Sequence, residues 1–218
     1  SPFVAADPDG DFVVVWSSLG SSGGDTNSYS IQGQRYASNG SVQGAQFQVN
    51  TYTTSLQSVP SVAASAGGDF VVVWESSGSS GSDTSDLCIQ AQRYDSAGSA
   101  VGTQFQVNTY TTSRQRLASI AADADGDFVV VWERGNIFSA SDGVFAQRFA
   151  SDGSRLAGEF QVNTTTGRNE RDASVAMDAD GDFVVAWSGE ADGSSTAVLA
   201  QVFDSTGGHL FSIDGPSE

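Results

Sequence analysis

Basic charge is scarce in this chain of 218 residues: nine Lys and Arg stand against 26 Asp and Glu, a formal net charge of −17. That sign repels phosphate backbones and anionic bilayers, so nucleic-acid binding is excluded as a reading, while small cations are attracted. Cysteine is reduced to Cys88, which rules out an internal disulfide. Its neighbours Leu87 and Ile89 point to a half-buried strand thiol rather than a reactive one. No apolar run approaches the roughly 20 residues of a membrane span. No apolar period of 3.6 persists beyond a few residues, so helix is expected to be scarce. Histidine is reduced to His209. There is no Gly-x-Ser-x-Gly elbow, no His-Glu-x-x-His helix and no nucleotide loop, so the sequence predicts no enzyme.

What the chain has instead is repetition. Asp11-Phe12-Val13-Val14-Val15-Trp16 returns as Asp69 to Trp74, Asp127 to Trp132 and Asp182 to Trp187, with the tryptophans 58, 58 and 55 residues apart. Each unit runs through a short small-residue segment, an acidic turn, the Trp segment, a polar loop, a Gln-rich segment, a second turn and a segment ending in Val-Asn. Gln34, Gln92 and Gln147 precede Phe47, Phe105 and Phe160 by 13 residues, and each Phe precedes the next Trp by 27. Only the loop after Trp changes length.

Val, Ile, Phe, Tyr and Thr fill the segments and Gly, Ser, Asp and Asn the intervals, which is the composition of strands and turns. The Trp segments are continuously apolar and read as strands covered on both faces. The Gln-rich segments alternate. Four short strands per unit, with small residues in the first (Ala5-Ala6, Ala63-Ala64, Ala121-Ala122), resemble β-propeller blades and, more loosely, the FG-GAP-like repeats of bacterial extracellular proteins. The resemblance implies an all-β fold: a β-propeller of four four-stranded antiparallel blades, at about residues 1–58, 59–116, 117–171 and 172–218 of a single repeat domain. A ring closed by four blades and an arc of a larger ring both satisfy the repeat.

Three acidic turns, Asp7/Asp9/Asp11, Asp123/Asp125/Asp127 and Asp178/Asp180/Asp182, place carboxylates at alternate positions around a glycine; unit two has Ser65-Ala66-Gly67-Gly68-Asp69. Hard oxygen ligands so arranged suit Ca²⁺, whereas Asp-Gly equally makes a hairpin turn without metal. The EF-hand pattern is excluded, because Trp16, Trp132 or Trp187 stands where its glutamate is required.

Arg35, Arg93 and Arg148 precede an aromatic; they either brace neighbouring strands or face a ligand. The four tryptophans are expected in the core rather than as sugar platforms, and Asn50, Asn108 and Asn163 in turn hydrogen bonds. The loops after Trp, residues 17–30, 75–87, 133–143 and 188–196, suit binding or solvent-facing spacing, with Tyr29, Ile137 and Phe138 their bulky residues. The functional expectation is a non-enzymatic extracellular or cell-envelope propeller that binds or scaffolds a protein or glycan surface, its turns either plain hairpins or hairpins that also hold structural Ca²⁺, with a homo-oligomer or larger complex left open. The alternative is a lectin-like module with Tyr29, Arg35, Arg93 and Arg148 as ligand contacts and one glycan site per blade or blade boundary.

Overall fold

The computed structural model describes residues 1–20, 23–78, 81–83, 86–135, 141–164, 170–190 and 196–214. Ile137 and Phe138 lie outside the described residues. The chain forms sixteen strands and, among the described residues, no helix. They make four antiparallel sheets of four, each in chain order. The first holds β1 (Pro2–Ala6), β2 (Phe12–Leu19), β3 (Tyr29–Tyr36) and β4 (Val42–Gln48). The second holds β5 (Gln57–Ala64), β6 (Phe70–Ser77), β7 (Leu87–Tyr94) and β8 (Ala100–Gln106). The third holds β9 (Arg114–Ala122), β10 (Phe128–Gly135), β11 (Ser141–Phe149) and β12 (Arg155–Gln161). The fourth holds β13 (Arg171–Met177), β14 (Phe183–Glu190), β15 (Thr196–Phe203) and β16 (His209–Asp214).

The second and third strands keep one register from blade to blade. Val14, Val72, Val130 and Val185 oppose Gln34, Gln92, Gln147 and Gln201. The constant spacing seen in the sequence has a structural cause. The register slips between the third and fourth strands of the first three blades, at a bulge where Gly44, Gly102 and Ala157 take φ of 71°, 72° and 67°. A bulge strands carbonyls that the ladder no longer serves. The buried Gln serves them: Gln34 Nε2 donates to the carbonyls of Arg35, Gln43 and Gly44 at 3.1, 3.3 and 3.4 Å. Gln92 and Gln147 do likewise, to Arg93 and Val101 and to Arg148 and Ala157.

The first strands of the last three blades carry another irregularity, with Val59, Leu117 and Asp172, each fifteen residues before its Trp, at φ of 48°, 53° and 55°. At the loop end, Asn50, Asn108 and Asn163 accept the Ile31, Ile89 and Val144 amides at 2.8, 2.9 and 2.8 Å. Asn50 and Asn108 also donate to Asp25 and Asp83, buried carboxylates of the variable loops.

The chain divides into two compact units, residues 1–112 and 113–218, each of two blades. In the first, Val13, Val15, Ile31 and Val49 of one blade pack on Val62, Phe70, Val72, Trp74 and Tyr94 of the next. In the second, Val129, Val131, Val144 and Val162 pack on Val175, Phe183, Val185, Trp187 and Phe203. The expectation that every Trp segment is covered on both faces holds for β6 and β10, which are buried almost throughout. It fails for β2 and β14, where burial alternates.

Candidate functional site

The acidic turns close the first hairpin of each blade. In the first, the Asp7 amide donates to the Asp11 carbonyl at 2.9 Å and the Gly10 amide to the Asp7 carbonyl at 3.0 Å. The leading carboxylate caps its own turn: Asp7 Oδ1 accepts the Asp11 amide, Asp123 Oδ1 those of Asp125 and Asp127, and Asp178 Oδ1 those of Asp180 and Asp182, all at 2.9–3.0 Å. The last carboxylate binds the second hairpin turn, as Asp11, Asp69, Asp127 and Asp182 accept the amides of Ser38, Ser96, Ser151 and Ser205 at 2.8–2.9 Å. Unit two keeps Asp69 for this tie. The middle residues Asp9, Asp125 and Asp180 are exposed, and no described hydrogen bond engages their carboxylates.

These environments move the titrations in opposite senses. The Gln43 amide, 2.9 Å from Asp11 Oδ2, and then the Ser38 amide hold Asp11 below the ordinary carboxylate range. Burial, and more weakly the neighbouring Asp127 charge, push Asp123 up. The second oxygen of Asp7 reaches over the following blade's turn, where a Cβ on Gly68 would lie 3.1 Å from it; Asp123 makes the same approach to Gly181, at 3.2 Å. Among the described residues, no three His, Cys, Asp or Glu side chains gather as a metal-ligand group.

Arg35 and Arg148 cross to the next blade within their units. Arg35 donates to the Ala97 carbonyl at 2.5 Å, to the Ser96 carbonyl, and to Gln43 at 3.0 Å. Arg148 donates to the Thr206 carbonyl at 2.5 Å and to that of Ser205. The turns and the arginines, separate features of the sequence, therefore meet. In the first unit, Asp7, Asp9, Asp11, Arg35, Gln43 and Ser96 rim a cavity of 390 Å³ floored by Phe12, Tyr36 and Phe70. In the second, Asp123, Asp125, Asp127, Arg148, Asp180 and Ser205 rim one of 280 Å³ over Phe128, Phe149 and Met177. Asp178 and Asp182 line neither cavity. Arg93 occupies the equivalent place on β7.

Tyr29 stands apart. It is exposed at the loop end of β3, whereas Arg35 is six residues away at the turn end, about 20 Å along a strand. Gln43, Ser96 and Met177 were missed by the sequence reading; Gln43 carries no repeat signal, because Leu156 replaces it in the third blade.

The second unit also buries Glu133, whose Oε1 accepts the Asp172 amide at 2.5 Å and whose Oε2 lies 3.2 Å from Arg116. Burial raises its pKa more than these partners lower it. Having no exposed surface, it supports the Asp172 bulge rather than touching a ligand.

No protein-family model matches the sequence, and no curated protein matches it. Among solved structures, the chain is similar to a Hadza microbial sialidase, Hz136, at a TM-score of 0.60 and 13% identity over 91% of this chain and 43% of that one. It is similar to an endo-arabinase from Bacteroides thetaiotaomicron at 0.55 and 14%, over 99% and 79%. It also resembles the α-L-arabinanase of Penicillium chrysogenum complexed with arabinobiose, at 0.58 and 11%, over 98% and 76%. The chain thus spans less than half the length of the sialidase. The expectation of a non-enzymatic binding or scaffolding propeller is corrected here: these structures are named as a sialidase, an endo-arabinase and an arabinanase, so the fold gives no ground for excluding catalysis. At 11 to 14% identity the likeness carries the fold alone, and that fold is an all-β, β-propeller one built of four-stranded blades.

Proposed function

We propose that the chain is an extracellular carbohydrate-binding β-propeller module whose sites are the turn-end cavities between consecutive blades of a unit. The observation that carries this reading is the recurrence of one cavity design in both units, with an Asp triad, a braced Arg and an aromatic floor. Carboxylates accept hydrogen bonds from sugar hydroxyls, and a charge-assisted bond of this kind contributes about 1.5–3 kcal/mol. Arg35 spends its fork on the next turn, leaving an acidic rim that favours neutral glycans over uronic or sialic acids. Calorimetric titration with neutral arabino- and xylo-oligosaccharides tests this. Binding should weaken about tenfold or more in Asp9→Asn, with an unchanged melting temperature because that carboxylate carries no described hydrogen bond. Lack of affinity for any neutral glycan would overturn the reading, and release of reducing ends during titration would extend it to hydrolysis.

A structural cation in the same turns is a second reading, favoured by the uncommitted carboxylates of Asp9, Asp125 and Asp180 and by the like-charge effect of Asp127 on Asp123. The leading carboxylates keep one oxygen for the cation, so water or ligand oxygens must complete the shell. Ca²⁺ should then raise the melting temperature beyond ionic-strength-matched NaCl. Equal shifts with both salts would leave the turns metal-free.

A further inference from the structure

The two turn-end cavities share a frame, so the side chains in which they differ show what each can select. Phe12 and Tyr36 stack at 4.9 Å and 11° in the floor of the first, and Phe128 and Phe149 stack at the same distance and angle in the floor of the second. The floor keeps its geometry and loses one hydroxyl. Two further exchanges at matching places of the repeat run the same way. Leu156 stands where the first cavity has Gln43, opposite the arginine, and Met177 where it has Ala64, at the end of the first strand. The cavity narrows from 390 to 280 Å³.

The rim changes in the opposite sense. Asp180 stands where the first cavity has Gly67. In the first cavity the Gln43 amide donates to Asp11 Oδ2 at 2.9 Å while its oxygen accepts from Arg35 at 3.0 Å. Leu156 has no amide to give, and no described hydrogen bond engages the second oxygen of Asp127, whose Oδ1 accepts the Ser151 amide. The second cavity therefore combines acceptor oxygens of Asp125, Asp127 and Asp180 with an apolar wall of Phe149, Leu156 and Met177. A hydroxyl pressed on such a wall gives up its water for nothing, whereas a methyl gains from the burial. We infer that the cavity of the second unit takes a 6-deoxyhexose residue, its ring hydroxyls donating to the carboxylates and its C5 methyl packed on Leu156 and Met177. The first cavity, with Gln43 and the Tyr36 hydroxyl, makes no such selection. This assignment rests on the carbohydrate reading of the same cavities.

Ligand-observed NMR titration of the whole chain tests it, with methyl glycosides that differ only in the oxygen at C6: L-rhamnose against L-mannose, and L-fucose against L-galactose. Asp9→Asn weakens the first cavity and leaves the second to be read, and Asp125→Asn does the reverse. The Asp9→Asn chain should bind one of the deoxy sugars about tenfold or more tightly than its hydroxylated partner, the scale on which an apolar pocket rejects an added hydroxyl. The Asp125→Asn chain should show no such preference. Leu156→Gln, added to Asp9→Asn, installs at a half-buried position the side chain that the first blade already carries there, and should abolish the preference. Met177→Ala, the first cavity's residue at the other exchange, should reduce it and gives a second variant should the first fold poorly. No affinity for any of these sugars or for the neutral oligosaccharides in either chain would overturn the carbohydrate reading and this assignment with it. Binding without a C6 preference, the same preference in Asp125→Asn, or a preference untouched by both wall substitutions would overturn the assignment alone.

Discussion

At the scale of single residues, the four tryptophans occupy equivalent places but not equivalent environments. Trp74 Nε1 donates to Gln57 Oε1 at 3.1 Å inside the core, and Gln57 in turn donates to the Thr54 carbonyl. Trp132 Nε1 is buried without a hydrogen-bond partner. Gln57→Leu should lower stability by about 1–3 kcal/mol, because it strands a buried indole N–H. Trp74→Phe should cost more than Trp132→Phe by about 1 kcal/mol or more, since only the first also orphans a buried amide oxygen. Urea midpoints of the three variants check both statements, and equal costs for the two Phe variants would remove the distinction.

At the scale of the element, the fourth-strand bulge offers a comparison built into the repeat. Gly44 and Gly102 sit at positive φ, and a Cβ at either would meet nothing within 4 Å, so their requirement is one of backbone conformation and not of space. The third blade places Ala157 there, exposed and at φ 67°. Holding a residue with a Cβ in the left-handed region costs about 1–2 kcal/mol, part of which glycine's larger unfolded-state entropy offsets. Ala157→Gly should therefore raise the melting temperature and Gly102→Ala should lower it, each by an amount corresponding to about 1 kcal/mol. Thermal scans in which both substitutions shift stability the same way would contradict the bulge assignment.

At the scale of the whole molecule, the shifted carboxylates separate into two pH ranges. Glu133 has a folded pKa raised above its ordinary 4.5, chiefly by burial. The native state then binds more protons than the unfolded chain across that interval, so this group's contribution to stability falls as pH rises from about 4.5. Asp11 and Asp204 are held below 3.8, Asp11 first by the Gln43 side chain and Asp204 first by Thr206. Their contributions are present above 3.8 and are lost as pH falls through their lowered values. Glu133→Gln keeps an oxygen for the Asp172 amide and removes the titration. Its stability relative to wild type should climb as pH rises from 4.5 toward neutrality and stay level below that range. A relative stability that falls as pH rises toward 4.5 from below and stays level above it would show that the Arg116 pairing outweighs burial.

The sequence by itself determined the strands, the turns and their register, because those depend on residues close together: Asp-Gly closes a hairpin by its own backbone bonds, and the fixed Gln spacing reflects an amide reaching carbonyls on the adjacent strand. The four-bladed layout was legible for the same reason, and Asp11, Asp69, Asp127 and Asp182 kept their place in every unit because each ties two turns of one blade. Tertiary structure decided what lies between blades. Arg35 finds its acceptors 61 and 62 residues away, so its meeting with the Asp triad over an aromatic floor could not be read from neighbours in the chain. The positive φ of Val59 and Leu117 runs against the preference of their side chains, and packing overrides that preference. The separation of Tyr29 from Arg35 follows from strand length once the strand is placed.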